Sequence, residues 1–190
     1  MPPSLPDDVQ RRTSREEGVE NMLGATVELL TERRPEDITV RDVAAASGHH
    51  HRFVQAWFGG KVGLFRAAFD RMSAELASHI PEELRGESLD QRALGLARLL
   101  NWLIAADPDS MAGSRETPVI DRVGEVYEAE LGLDPETARL VATRTVAASI
   151  SFLLFADVLG LGPDDVRRVA ELDRHMVGLL AATPASPAPG

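Results

Sequence analysis

No cysteine occurs among the 190 residues. That absence excludes a disulfide framework, a thiolate nucleophile and a cysteine-based zinc site, and gives no sign of an oxidising compartment. The motifs of catalysis are missing as well: there is no glycine-rich phosphate loop, no Gly-x-Ser-x-Gly elbow and no helical His/Glu metal pair. An Asp-x-Asp at Asp107 to Asp109 stands in a proline-bearing stretch without further ligands. The N-terminal MPPSLPDDVQRR lacks the basic start, apolar segment and small-residue cleavage site of a secretory signal. These absences point away from an enzyme, a metal or a cofactor, and toward a cytoplasmic address.

Positive charge is also scarce overall, with a net charge of −10 that argues against coating nucleic acid through bulk charge. The distribution qualifies this. Residues 11–72 carry ten Lys/Arg against nine Asp/Glu, whereas the rest of the chain carries ten against twenty-one. A basic surface in the first third is therefore compatible with an acidic remainder.

What the chain does have is helical periodicity, and almost every segment reads as helix. From Arg15 to Arg34 the residues Val19, Met22, Leu23, Thr26, Leu29 and Leu30 form one apolar stripe, and Pro35 ends it. Thr39 and Asp42 have capping-box spacing ahead of a short helix over Val40 to Ala46. Gly48 suits the left-handed turn that ends it, and a second short helix is expected from about His50 to Trp57. The Gly59-Gly60-Lys61 break then leads into a longer helix marked by Leu64, Phe65, Ala68, Met72 and Leu76, ending near Pro81. Further helices are expected over Ser88 to Ala106 and Val119 to Leu131. Another should follow from Asp134, an N-cap with Pro135 at the first helical position. The last, opened by GPDD, carries Val166, Val169, Ala170, Met176, Val177 and Leu180 as its inward stripe. Thr145 to Phe155 holds no charge at all, so that helix needs an apolar partner beyond its own core; the run is too short, and too soon followed by Asp157, to span a membrane.

Helix, tight turn, helix, braced on both sides, is an arrangement that presents its second helix to the DNA major groove. The residues Ile38 to Phe69, ITVRDVAAASGHHHRFVQAWFGGKVGLFRAAF, resemble the helix-turn-helix signature of TetR-family (TetR/AcrR type) transcriptional regulators. Thr39, Arg41, Val43 and Ala44 match the opening of its second helix, Ser47 and Gly48 its turn, and Phe58 to Lys61 its close. The resemblance implies an all-α fold of about nine helices. A flexible arm over 1–14 would precede a DNA-binding domain over 15–61, with a regulatory and dimerisation domain over 62–182 and a disordered tail over 183–190. It also implies that His50, His51, Arg52 and Phe53 sit where base edges are read and that Thr39, Gln55, Trp57 and Lys61 meet phosphates, with Arg41 completing the set. His49, Gln55 and Trp57 depart from the family's usual residues, so the operator is this chain's own. They also leave open a second reading, a dimeric sensor or adaptor that has lost specific DNA binding.

Three adjacent histidines also raise a metal site, but neighbours on a short helix point about 100° apart, so at most two can share one ion. DNA contact or a solvated turn remain, and the former predicts binding that strengthens as pH falls through the imidazole range near 6.5. His79 and His175 stand alone. For the C-terminal part the resemblance implies a homodimer through helices about 134–160 and 163–182, a palindromic operator, and a pocket for an unknown small-molecule effector. Candidate lining residues are Leu99, Trp102, Met111, Val123, Tyr127, Arg144, Phe152 and Phe155, with Asn101 as a further polar candidate.

Overall fold

A computed structural model describes residues 7–83, 91–108 and 117–182. Within them the chain forms eight α-helices and one 3-10 turn, and no strand: α1 Asp7–Glu32, the turn Pro35–Asp37, α2 Val40–Ser47, α3 Arg52–Phe58, α4 Lys61–Glu83, α5 Gln91–Ala106, α6 Pro118–Leu131, α7 Pro135–Phe155 and α8 Pro163–Ala182. The all-α expectation holds. The first helix starts at Asp7, inside the stretch expected to be a loose arm, because residues 7–14 contain no glycine or proline to interrupt it. The expected tail, residues 183–190, lies outside the described residues.

The chain divides into two units, one running to Met72 and taking in the segment from Arg98, the other holding Ser73–Ala97 and the chain from Arg115. Helices α4 and α5 thus each contribute to both units. In the first unit Met22, Leu30, Ile38, Val43, Val54 and Phe65 are buried. Thr26, buried among the α1 stripe, satisfies its hydroxyl by donating to the Met22 carbonyl at 2.7 Å.

In the second unit α6 packs along α7, with Val123, Val126 and Tyr127 of α6 against Ala138, Val141 and Ala142 of α7, joined by Ile80 and Val177. Asp134 caps α7 by accepting from the Thr137 N–H at 3.1 Å, with Pro135 in the first turn, as its sequence requires. Polar groups cross-link the helices. Tyr127 donates to Thr145 at 3.2 Å, Thr145 donates to Asp173 of α8 at 3.3 Å, and the other Asp173 oxygen pairs with Arg144 at 2.6 Å. Arg139 meanwhile pairs with Asp121 across α6 and α7.

The α8 stripe differs from its expected form: Val177 is buried, but Met176 and Ala170 face outward, together with Leu172. On α7 and the turn after it Leu140, Phe155, Val158 and Leu159 are exposed as well. Among the described residues α7 is the one helix long and apolar enough to cross a membrane by length and composition. The charge-free run is only part of that helix, which also carries Arg139 and Arg144, both paired across to neighbouring helices.

Helix α2 shows how a local motif sets the fold. The Thr39 hydroxyl accepts from the Asp42 N–H at 3.2 Å, and the Asp42 carboxylate accepts from the Thr39 N–H at 2.7 Å, closing the capping box that the sequence announces. At the far end Gly48 takes the left-handed conformation, φ 71°, and His49 N–H returns to the Ala44 carbonyl. Thr39→Ala is expected to remove about 1 kcal/mol of stability and to lower the thermal midpoint by about 2–4 °C. The Thr39 N–H and hydroxyl, with Arg33 beside them, hold the Asp42 carboxyl below its ordinary 3.8. A carboxyl depressed on folding stabilises the fold above its unfolded pKa and ceases to do so as pH falls through the folded one. The midpoint difference between wild type and Asp42→Ala should therefore be full at pH 7 and shrink below about pH 3.8; a difference that stays constant to pH 2.5 would remove the capping box as its cause.

Candidate nucleic-acid interface

The exposed surface around α3 follows from where its few apolar side chains go. Val54 is buried, and Phe53 and Trp57 are half-buried and stacked on each other, with ring centroids 4.4 Å apart and planes 11° from parallel. His49 meets both edge-on, at 6.5 and 5.8 Å. The three rings form one aromatic block, and the block leans on α1. A methyl built on Gly18 of α1 would lie 2.6 Å from the Trp57 ring, so the indole occupies a seat that only glycine leaves open. Trp57 thereby anchors α3 on α1. The chain signalled this through a glycine inside a helical stripe, but not which ring it served.

With one side of α3 anchored, the other carries His50, His51, Arg52 and Gln55, all exposed. The helix itself begins at Arg52, two residues later than the spacing predicts, because His50 and His51 are used to start it. His50 Nδ1 accepts from the Arg52 N–H at 3.2 Å, while the His50 and His51 carbonyls accept from Phe53 and Val54. The two imidazoles lie 4.2 Å apart. Arg52 extends past the Phe53 ring, its guanidinium carbon 5.0 Å from the centroid, which limits the conformations a flexible donor must give up on binding. Among the described residues no group of three or more metal-ligating side chains converges.

Arg41 is exposed on the first turn of α2, and Thr39 is exposed with its hydroxyl committed to the cap. Lys61 has another environment. Its ammonium donates to the buried Pro35 carbonyl at 2.9 Å and lies 4.8 Å from the Phe65 ring centroid and 4.9 Å from that of Trp102. Burial lowers its pKa, against a smaller opposing pull from Glu36 and Asp42. Lys61 is thus half-buried and ties three elements together. Asp42 is the only carboxylate between Ile38 and Phe69, and its charge is answered by the cap and by Arg33 at 3.7 Å.

The candidate effector residues are spread over both units. Leu99 is fully buried and Trp102 packs against Phe65 with ring centroids 5.0 Å apart in the first. In the second, Val123 and Tyr127 belong to the α6–α7 core, Arg144 is held by Asp173, Phe152 is half-buried and Phe155 exposed. Asn101 is exposed, and Met111 lies outside the described residues.

Gly18→Ala provides a direct reading of the α1–α3 seat. A helix-interior Gly→Ala change ordinarily stabilises by about 1 kcal/mol, whereas an added methyl in a filled space costs about 1–3 kcal/mol. Denaturant unfolding should find Gly18→Ala destabilising in the wild type and stabilising when Trp57 is also alanine; stabilisation in both backgrounds would show that the indole does not use this seat.

No family model matches the chain. The HTH-type transcriptional repressor Rv3405c of Mycobacterium tuberculosis is 30% identical over 151 residues, which cover 77% of this chain and 78% of that protein. The HTH-type transcriptional regulator Mb3439c of Mycobacterium bovis matches to the same extent. Among solved structures, the TetR family repressor AlkX from Dietzia sp., implicated in biodegradation of n-alkanes, has 23% sequence identity and a TM-score of 0.49, covering 85% of this chain and 96% of that one. With motif residues from Thr39 to Lys61 that resemble those of the TetR type, and with relatives of this identity and coverage, the chain belongs to the HTH-type transcriptional regulators.

Proposed function

We propose that this regulator is a cytoplasmic, ligand-responsive repressor that binds a palindromic operator as a homodimer and reads base edges from the exposed start of α3. The observation that carries the reading is the division of that helix. Val54, Phe53 and Trp57 fix it from within, and His50, His51, Arg52 and Gln55 stand outward, with the Asp42 carboxylate of α2 engaged by its cap and by Arg33. Arg52 can donate two parallel bonds to guanine N7/O6, and the imidazoles can donate to the same acceptors or to phosphate. Thr39 and Arg41 at the start of α2 suit backbone contacts that set register without reading sequence.

Repression by steric occlusion needs only that the dimer occupy its site, and a two-fold dimer sets its reading helices about 34–36 Å apart or somewhat more. The apolar residues left exposed on α7 and α8, Leu140, Phe155, Leu172 and Met176, support a second subunit as their partner. An effector would act by favouring one spacing of the two reading helices over another, a shift of population rather than a change in the contacts.

Selection of binding sites from a random DNA pool at about 0.1 M salt tests the reading, and an enriched palindrome is expected. Arg52→Ala should weaken binding to that site by about 1–3 kcal/mol, roughly five- to 150-fold, and relax the preference at one base pair per half-site. No enrichment by a folded wild type would leave the sensor or adaptor reading in its place. Leu172→Glu should convert a dimer into a monomer in sedimentation equilibrium; a dimer that persists would move the interface off this face of α8.

A further inference from the structure

Lys61 immediately follows the two glycines that end α3, and Pro35 opens the turn that leads into α2. The bond from the Lys61 ammonium to the Pro35 carbonyl therefore closes a loop of chain that contains the whole helix-turn-helix. Phe65 comes from the next turn of α4, and Trp102 comes from α5, far along the sequence. Their rings, 5.0 Å apart and inclined at 59°, form a notch with the ammonium about equally distant from both. A cation held over two ring faces keeps much of the stabilisation that water would give it, which is what lets it sit half-buried on a carbonyl.

We infer that Trp102 is a positioning residue for DNA reading: by seating Lys61 against Pro35 it fixes the two ends of the helix-turn-helix relative to each other, without touching DNA itself. The inference rests on the DNA-binding reading above. It also alters what Lys61 does. Its ammonium is tied to a carbonyl and two rings, so its loss acts first through the geometry of α2 and α3.

Operator affinity and its salt dependence, measured on the full chain, separate these roles. Trp102→Leu keeps apolar bulk and removes the ring, while Trp102→Phe keeps a ring. We expect Trp102→Leu, Lys61→Met and the double variant each to lose about three- to tenfold in affinity, the double no worse than either single, with the salt slope unchanged. Trp102→Phe should keep affinity within about threefold of wild type. Wild-type affinity in Trp102→Leu, additive losses in the double variant, or a slope reduced by about one in Lys61→Met would each overturn the inference. Should Trp102→Leu not fold, Lys61→Met carries the test: a three- to tenfold loss at constant salt slope supports the inference, and wild-type affinity or a slope reduced by about one overturns it. A wild type that selects no operator retires the DNA-binding reading instead. That failure is distinguishable, because the same cycle read on thermal midpoints still shows whether Lys61 and Trp102 are coupled.

Discussion

A single ammonium, that of Lys61, holds together what the reading surface needs. Helices of eight and seven residues are too short to persist alone, since one turn of helix costs more order than its first hydrogen bond returns. Their orientation must come from contacts at their ends and on their inner faces. At the ends, the Lys61 to Pro35 bond closes the segment and the capping box starts α2 within it. On the inner faces, Val43 and Val54 are buried and Trp57 lies on Gly18. Few of these groups are exposed, which leaves the exposed ones available.

That separation of roles explains the aromatic content of α3. A reading helix must offer donors to bases, yet a helix made only of donors has nothing to hold it in place. Here aromatic residues alternate with polar ones so that one turn serves both needs. The Phe53–Trp57 stack supplies the anchor, and Arg52 and Gln55 beside it remain outward. His50 spans both jobs, because its Nδ1 helps start the helix while its ring remains exposed. With Nδ1 accepting, the neutral ring carries its proton on Nε2, a donor suited to purine N7 or O6 acceptors.

Local rules were legible in the chain to within a residue or two. The capping box at Thr39 and Asp42, the left-handed Gly48 and the Asp134–Pro135 start each depend on neighbours a few positions apart, and each appears in the structure as its spacing requires. What could not be read were choices made by distant partners. Lys61 turns inward because Trp102 and Pro35 offer it rings and a carbonyl, and neither lies near it in sequence. Trp57 turns toward α1 because Gly18 leaves room. Met176 lies on the apolar stripe of α8 by period, yet faces outward, since a helix with apolar residues on several sides does not say which side is the core. Arg144 looked like a ligand group because it is a charge on an apolar helix; its partner is Asp173, one helix away.

The acidic balance of the chain is compatible with DNA binding because charge acts at short range in salt. Beyond about 10 Å at 0.1 M ionic strength, exposed charges are largely screened. Over Ile38 to Phe69 the sequence carries a single acid against several bases, and that acid is engaged by Arg33. A surplus of negative charge elsewhere still has an effect at long range: it opposes indiscriminate accumulation on DNA, whose affinity comes almost wholly from phosphate neutralisation. On the reading proposed above, binding depends more on the fit of a few donors to base edges than on total charge. For such a protein, small errors in helix position are costly, and the fixed placement of Lys61, Trp57 and the α2 cap follows as a requirement of specificity rather than of stability alone.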